Sequence, residues 1–437
     1  MGWELALLII FISLIIILAS GIPVAFGFML ITIVGMLVYW GGEASLRQLT
    51  LSFFDSVTKF TLIPAVLFIL MGEIMFRSGI VTSSIDAIDK LIGALPGRLS
   101  LIAVVAGALF ATMSGSGMAG AAVLGSTLLP EMERHGYQKS MTLGPILAGG
   151  PLAIVIPPSG LAVVLASLAE ISIGKILIGG IIPGLIMVLS YAAYITIRCY
   201  LKPSLAPHYE TCMIPFSNKM ISLVRYVLPM GFIIIMVLGA IFAGVATPSE
   251  AAATGVFGAV ILVAAYKRLN WGVIKQAVIS STRVGAMVLM IIVTATAFSQ
   301  ILAISGASRG LGELAANLPV SPILVVVTMM FAIFVLGCFM ESITIMMITI
   351  PIFMPIIHTL GFNPIWFAIL FLINVETGGI TPPFGLILYV VKGIAPPGTT
   401  MIDIIRAVFP FIVCNIVVLG ILVAFPALPL WLPDLML

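Results

Sequence analysis

The sequence predicts an all-α polytopic membrane protein made of two inverted repeats, and three observations carry that prediction. Of its 437 residues, 62% are apolar and 8% are charged, with a mean hydropathy of +1.30; a soluble chain around one core is not built this way. The apolar runs are continuous for 15 to 20 residues and do not alternate, which speaks for spanning helices and against a barrel. Residues 225 apart also share a pattern through the two most irregular apolar regions: Pro130 with Pro355, Gly136 with Gly361, Pro157-Pro158 with Pro382-Pro383, and Gly160-Leu161 with Gly385-Leu386. The turn residue Pro23 meets Pro248 at the same offset.

Spanning helices are expected at 5–19, 23–40, 60–77, 138–170 (interrupted), 175–198, 221–243, 250–266, 285–304, 363–392 (interrupted) and 402–425. The first is a retained helix and not a signal peptide, because Met1-Gly2-Trp3-Glu4 has no basic region and a second apolar run follows at once. Two apolar pairs remain, 99–113 with 118–132 and 322–337 with 344–357, whose arms have 14 to 16 residues. At about 1.5 Å per residue such arms reach roughly 21–24 Å, short of a hydrocarbon core of about 30 Å, so they are expected to be re-entrant hairpins. Their tips are Ser114-Gly115-Ser116-Gly117 and Cys338 to Ser342.

Apolar residues at helical spacing, from Ile80 to Leu95 and more weakly from Leu311 to Leu318, predict an amphipathic arm helix before each hairpin, with Gly79 and Gly306 as hinges. The first repeat then covers 1–198: scaffold helices 5–77, arm helix 78–95, hairpin 98–133, interrupted helix 138–170 and helix 175–198. A polar, proline-bearing linker, 199–220, leads to the second repeat, 221–437: scaffold helices 221–304, arm helix 306–320, hairpin 322–358, interrupted helix 363–392 and helix 402–425.

With the hairpins not crossing, fifteen of the nineteen Lys and Arg residues fall on one side of the membrane, and Arg47, Lys59, Lys175 and Arg309 on the other. The positive-inside rule makes the first side cytoplasmic and both termini periplasmic. Five crossings per repeat, an odd number, require the repeats to be inverted.

Repeats that break in corresponding places are a sign of a secondary transporter with its site near the bilayer midplane. Four breaks converge by symmetry: the tip 114–117, the stretch Gly149 to Ser159, the tip 338–342, and the stretch Thr377 to Pro383. Each offers free carbonyls that suit a hard cation and free N–H groups that suit a carboxylate. Glycine admits close backbone approach and serine adds a hydroxyl, and a ligand set of oxygen alone fits Na⁺ better than a transition metal.

Of the acids in apolar segments, Glu73 ends a helix, Glu250 after Thr247-Pro248-Ser249 reads as a helix cap, and Glu341 and Glu376 are candidates for ion coordination or proton coupling. Cys199, Cys212, Cys338 and Cys414 have no paired spacing and read as packing residues, and His135, His208 and His358 as solvated ends. An intramembrane serine hydrolase using Ser116 is a remote alternative, since MSGSGM lacks the nucleophile-elbow pattern and no histidine falls on a spanning helix. The chain has no phosphate-binding loop for ATP hydrolysis.

The strings FATMSGSGMAGAAVLGSTLLPEM, GPILAGGPLAIVIPPSG and LINVETGGITPPFGL, with GIPVAFG and ATPSEAAATG, resemble the DctM-like large membrane subunit of TRAP transporters over essentially the whole chain. The resemblance implies an elevator-type, Na⁺-coupled importer of organic acids in a bacterial inner membrane, not an enzyme and without a cofactor. It also implies a separate small four-helix membrane subunit and a periplasmic binding protein that delivers the ligand. Carried over by residue, it implies one Na⁺ site at Ser114, Ser116 and Gly117 facing Ala153, Ile156 and Pro157, and a second at Gly337, Gly378, Thr381 and Pro382. Gly115, Gly150, Ser159, Glu341, Ser342, Glu376 and Thr377 are then placed around the substrate. Ala153 stands where many relatives have glycine and Glu341 where many have aspartate. A stand-alone proton- or sodium-coupled carrier is the alternative reading.

Overall fold

The computed structural model describes residues 2–40, 43–58, 62–92, 95–114, 117–207 and 216–436, and every regular element among them is a helix. The chain opens with α1 (Trp3–Ala19), α2 (Val24–Trp40), α3 (Glu43–Thr58) and α4 (Ile63–Arg77), followed by the amphipathic α5 (Ile80–Ile92). A hairpin follows from α6 (Arg98–Ser114) and α7 (Gly117–Arg134), then α8 (Lys139–Val155), α9 (Gly160–Leu168), α10 (Ile173–Gly179) and α11 (Ile181–Leu201). Beyond residues 208–215, α12 (Phe216–Ser222) runs through a π-helical turn into α13 (Leu228–Phe242), α14 (Pro248–Ala265) and α15 (Trp271–Ile304). The amphipathic α16 (Ala307–Asn317), the hairpin of α17 (Pro322–Gly337) and α18 (Ser342–Thr359), then α19 (Pro364–Gly379), α20 (Leu386–Ile394), α21 (Met401–Ala424) and α22 (Ala427–Asp434) complete the chain.

Local chemistry accounts for the helix ends. Proline occupies the first turn of α4, α14, α17 and α19, where its fixed φ suits a helix and its missing N–H costs nothing. Glu250 is a cap: its Oε2 accepts from the Thr247 backbone N–H at 2.8 Å, while Thr247 Oγ1 accepts from the Glu250 N–H at 3.3 Å. Thr400 and Asp403 form the same box at the start of α21. Gly79 and Gly306 hold positive φ of 70° and 75° immediately before α5 and α16, a conformation that a side chain would strain.

Six helices among the described residues are long and apolar enough to cross a membrane, and up to eight if each of two bent pairs is one span. The chain is a polytopic helical membrane protein. Several bounds fall in pairs 225 residues apart: α7 and α18 at both ends, α8 and α19 at their starts.

Three sequence expectations change. Helix 60–77 begins at Ile63, and a separate helix, α3, precedes it. Its polar character hid it, yet Ser45, Leu49, Ser52 and Ser56 form a buried face at helical spacing, and Gln300 of α15 donates to Ser52. Helix 285–304 runs instead for 34 residues from Trp271. Three hairpin arms, of 17, 18 and 18 residues, exceed the 14 to 16 expected, while α17 has the 16 expected; in α7 the polar Glu133 and Arg134 continue the helix past the apolar run. Length alone therefore does not separate arms from crossings, and α18 is itself one of the six long apolar helices.

At the centre lie α8 and α19, which pack on each other. From Met141 to Val155 and from Trp366 to Gly378 every residue is buried, so neither helix has a polar face to read by period. The first hairpin packs on α8 and the second on α19, while α4 and α15 run alongside.

Candidate functional site

Both central helices stop short at glycine and proline. α8 ends at Val155 and the chain bends by 46° into α9; α19 ends at Gly379, and α20 starts after Gly385, whose φ is +48°. The Pro157-Pro158 and Pro382-Pro383 peptide bonds are both cis. Four helix starts meet near these breaks and the two hairpin tips. Gly117 opens α7, Gly160 opens α9, Ser342 opens α18 and Leu386 opens α20, and all four line one cavity of about 350 Å³. N–H groups of a first helical turn have no partner inside their helix, so each start is a favourable place for negative charge.

Glu376 sits where the two halves touch. It is 5% exposed, and its Oε1 accepts from the Ser342 hydroxyl of the second hairpin at 2.6 Å. Its Oε2 points to the first hairpin: a Cβ built on Gly117 would lie 2.8 Å from it and 3.1 Å from the Gly150 carbonyl. That oxygen is buried with no hydrogen-bond partner among the described residues. Glu341 precedes α18 without capping it and lines the same cavity with Glu73; Glu73 is paired with Arg77 at 2.6 Å. Met118, Leu161, Val164, Val288 and Met340 supply apolar wall.

Of the first expected Na⁺ site, Gly117 is buried at the start of α7 and packs on Gly150. Gly115 and Ser116 lie outside the described residues, as does the side chain of Ser114. Ala153 is buried within α8; Ile156 caps its end, with the side chain against Gly184 of α11, and Pro157 follows. Of the second, Gly337 and Gly378 are in backbone contact: a Cβ on Gly378 would lie 2.6 Å from Gly337 Cα. Thr381 belongs to the same turn, its N–H donating to Gly378 O at 2.8 Å and its hydroxyl to Thr377 O at 2.6 Å, and Pro382 follows. The Gly385 N–H donates to Cys338 O at 2.9 Å and ties the second tip to this break.

Of the residues expected around the substrate, Glu341, Ser342 and Glu376 line the cavity together. Gly150 supports Gly117 from behind. Ser159 is used as the cap of α9, accepting from Ala162 N at 3.3 Å. The Thr377 hydroxyl turns away, donating to Ile373 O at 2.6 Å and accepting from Asn415 of α21 at 3.1 Å; Tyr191 of α11 in turn donates to Asn415. Sequence reading missed the cavity roles of Glu73, Met118, Gly160 and Leu386; for the glycine and leucine a signal existed in the paired Gly160-Leu161 and Gly385-Leu386. Cys199 and Cys338 are buried and Cys414 half-buried, all free, while Cys212 and His208 lie outside the described residues.

Residues 11–428 match the family described as the tripartite ATP-independent periplasmic transporter, DctM component. The chain belongs to that family. It is 32% identical to the C4-dicarboxylate TRAP transporter large permease protein DctM of Pseudomonas aeruginosa, over 89% of this chain and 90% of that one. It is 29% identical to the isethionate TRAP transporter permease protein DctMQ of Oleidesulfovibrio alaskensis, over 95% of this chain and 64% of that one. Its fold is similar to the crystal structure of the YdaH transporter of Alcanivorax borkumensis, with a TM-score of 0.64, 16% identity and 91% of each chain covered. This DctM chain is therefore a transporter component and not an enzyme, and its folded core has the architecture of a membrane transporter.

Proposed function

We propose that this DctM chain carries out Na⁺-coupled import of an organic acid across a bacterial inner membrane by an elevator movement. It works with a separate small four-helix subunit and a periplasmic binding protein. The observation that carries the reading is the meeting of four helix starts and two interrupted helices at one cavity, in a chain of this family. A relative whose printed name joins the two membrane components, and of which this chain spans 64%, supports the small partner.

The paired element bounds and the positive φ at both Gly136 and Gly361, 225 residues apart, support two repeats of one design. The charge asymmetry is supported by what the basic residues touch. Arg77 donates to Gln276 and Ser280, and Arg268 to Gly79 O at 2.6 Å and Ser83 at 3.0 Å, joining segments assigned to the cytoplasmic face. Trp3 packs on Gly310, joining two assigned to the other. A cysteine replacing the exposed Glu133 is expected to label from the cytoplasm and one replacing the exposed Asn363 from the periplasm; labelling from one side would mean parallel repeats.

Na⁺ coupling is tested by uptake into proteoliposomes holding the assembled transporter, with and without a Na⁺ gradient. Ser114→Ala, Ser116→Ala and Thr381→Ala are each expected to raise the half-saturating Na⁺ concentration about three- to tenfold, the size of one lost polar contact. Uptake unchanged in choline but abolished by a proton uncoupler would move the coupling to Glu341 or Glu376.

A further inference from the structure

The cavity has an unusual charge pattern for a site that receives an anion. Three carboxylates, Glu73, Glu341 and Glu376, line it, and no Lys, Arg or His stands among its described lining residues. Of the three, only Glu73 has an ion-pair partner among the described residues, Arg77. Glu376 is 95% buried, being 5% exposed, with one oxygen satisfied by Ser342 and the other by nothing among the described residues. A buried carboxylate oxygen in that condition is costly unless a proton, an ion or a ligand group meets it. Around it, the starts of α7, α9, α18 and α20 present the opposite chemistry, the positive ends of four helix dipoles, which favour an anion; Ser159 caps Ala162 of α9, while α18 begins with no side-chain cap. The volume of about 350 Å³ is in the range of small-molecule sites, about 300–1,000 Å³, and its apolar walls suit a carbon skeleton better than a bare ion.

We propose that the substrate of this cavity is a zwitterion: an acid whose carboxylate faces the helix starts and whose ammonium, or an equivalent cationic group, is held by Glu376 and Glu341. The inference rests on the reading of the cavity as the substrate site. A plain dicarboxylate would place a second negative charge near two carboxylates that have no basic neighbour in the cavity wall, which is unfavourable at any protein dielectric. A cationic end supplies the donor that Glu376 Oε2 lacks.

The test uses the purified full chain in lipid nanodiscs at saturating NaCl, with ligand-induced thermal shift as the readout. Probes come in pairs that differ by one amino group: 4-aminobutyrate and butyrate, aspartate and succinate, 6-aminohexanoate and hexanoate. The amino member is expected to bind at least about tenfold tighter, the lower end for a hydrogen bond to a charged group. Glu376→Gln, which keeps an acceptor for Ser342, should remove that preference while Na⁺ still raises the melting temperature; Glu341→Gln gives the same readout if Glu376→Gln does not fold. Equal or tighter binding of the amine-free acids overturns the proposal, as does a preference that survives both substitutions, or a panel in which no probe shifts the melting. A Glu376→Gln chain that loses its response to Na⁺ but keeps the amine preference makes Oε2 an ion ligand only, and also overturns it. Na⁺-driven uptake of succinate would end the zwitterion and leave the transport reading standing; an amine preference without any response to Na⁺ would do the reverse.

Discussion

Gly378→Ala is expected to reduce Na⁺-driven uptake by at least about tenfold and to lower the melting temperature of the chain. A methyl group there would lie 2.6 Å from Gly337 Cα and 2.7 Å from Phe334 O, and one on Gly337 would lie 2.9 Å from both Gly378 Cα and Val375 O. The obstacles are backbone on both sides, so no side chain can swing away, and α17 and α19 must separate. Forced overpacking costs about 1–3 kcal/mol, more than the gain of about 1 kcal/mol from replacing a helical glycine by alanine. Separation also pulls apart the turn in which Gly378 O receives the Thr381 N–H, the turn assigned to the second ion. Gly239→Ala is the control, since nothing lies within 4 Å of a Cβ at that position of α13. Wild-type uptake by Gly378→Ala would sink the assignment of this contact to the ion site.

Covalent attachment of α9 to α4 is expected to stop transport completely. A Cβ on Gly160 lies 3.2 Å from Ile69 Cγ1, so Gly160→Cys with Ile69→Cys, in a chain freed of its native cysteines, brings two thiols within disulfide reach. Uptake should be measurable before oxidation, absent after it, and restored by reductant. The comparison pair joins α7 to α20, both on the side assigned to the moving unit: a Cβ on Gly125 lies 2.2 Å from Ile394 Cδ1, and Ile394→Cys removes that branch while Gly125→Cys supplies the partner. This link should leave uptake in place. Full activity with α9 tied to α4 would exclude sliding and point to local gating by the hairpin tips.

How far the sequence could be read depended on what each segment exposes. Breaks and turns were legible because proline and glycine act locally: the positive-φ glycines 79 and 306 and the Glu250 cap rest on residues within one helical turn, and the first interruption, expected from Gly149 to Ser159, is confined to Ile156–Ser159 because α8 stays helical through Gly149-Gly150-Pro151 to Val155. α3 was illegible because Arg47 and Asp55 lower its hydropathy, and its buried face is formed by serines that pack against α15. The start of α15, 271–284, was lost for the same reason, with the exposed Lys275, Gln276 and Arg283 lowering its hydropathy. At the site, Glu341 and Glu376 stood out as acids in apolar runs. That Glu376 reaches both hairpins was not readable, since Ser342 and Gly117 are 34 and 259 residues away and meet it through the crossing of α8 and α19. Glu73 was seen as a helix end, and its place in the cavity wall follows from how α4 packs.

The hydrogen-bond chain from Tyr191 through Asn415 to Thr377 fastens α11 and α21 to the interrupted helix α19. Trp366 of α19 adds a bond to Leu422 O at 2.9 Å, and Gly144 of α8 lies so close to α21 that a Cβ would meet Ala407 O at 2.5 Å. In an elevator, α11 and α21 would therefore travel with the cargo. Their outer faces carry exposed Leu185, Leu189 and Ile197, and Phe409, Ile416 and Val417, the surface a helix shows to acyl chains. Each stroke would drag that boundary through the bilayer, so lipid viscosity and thickness would set part of the turnover time, as friction on the outside of the carriage.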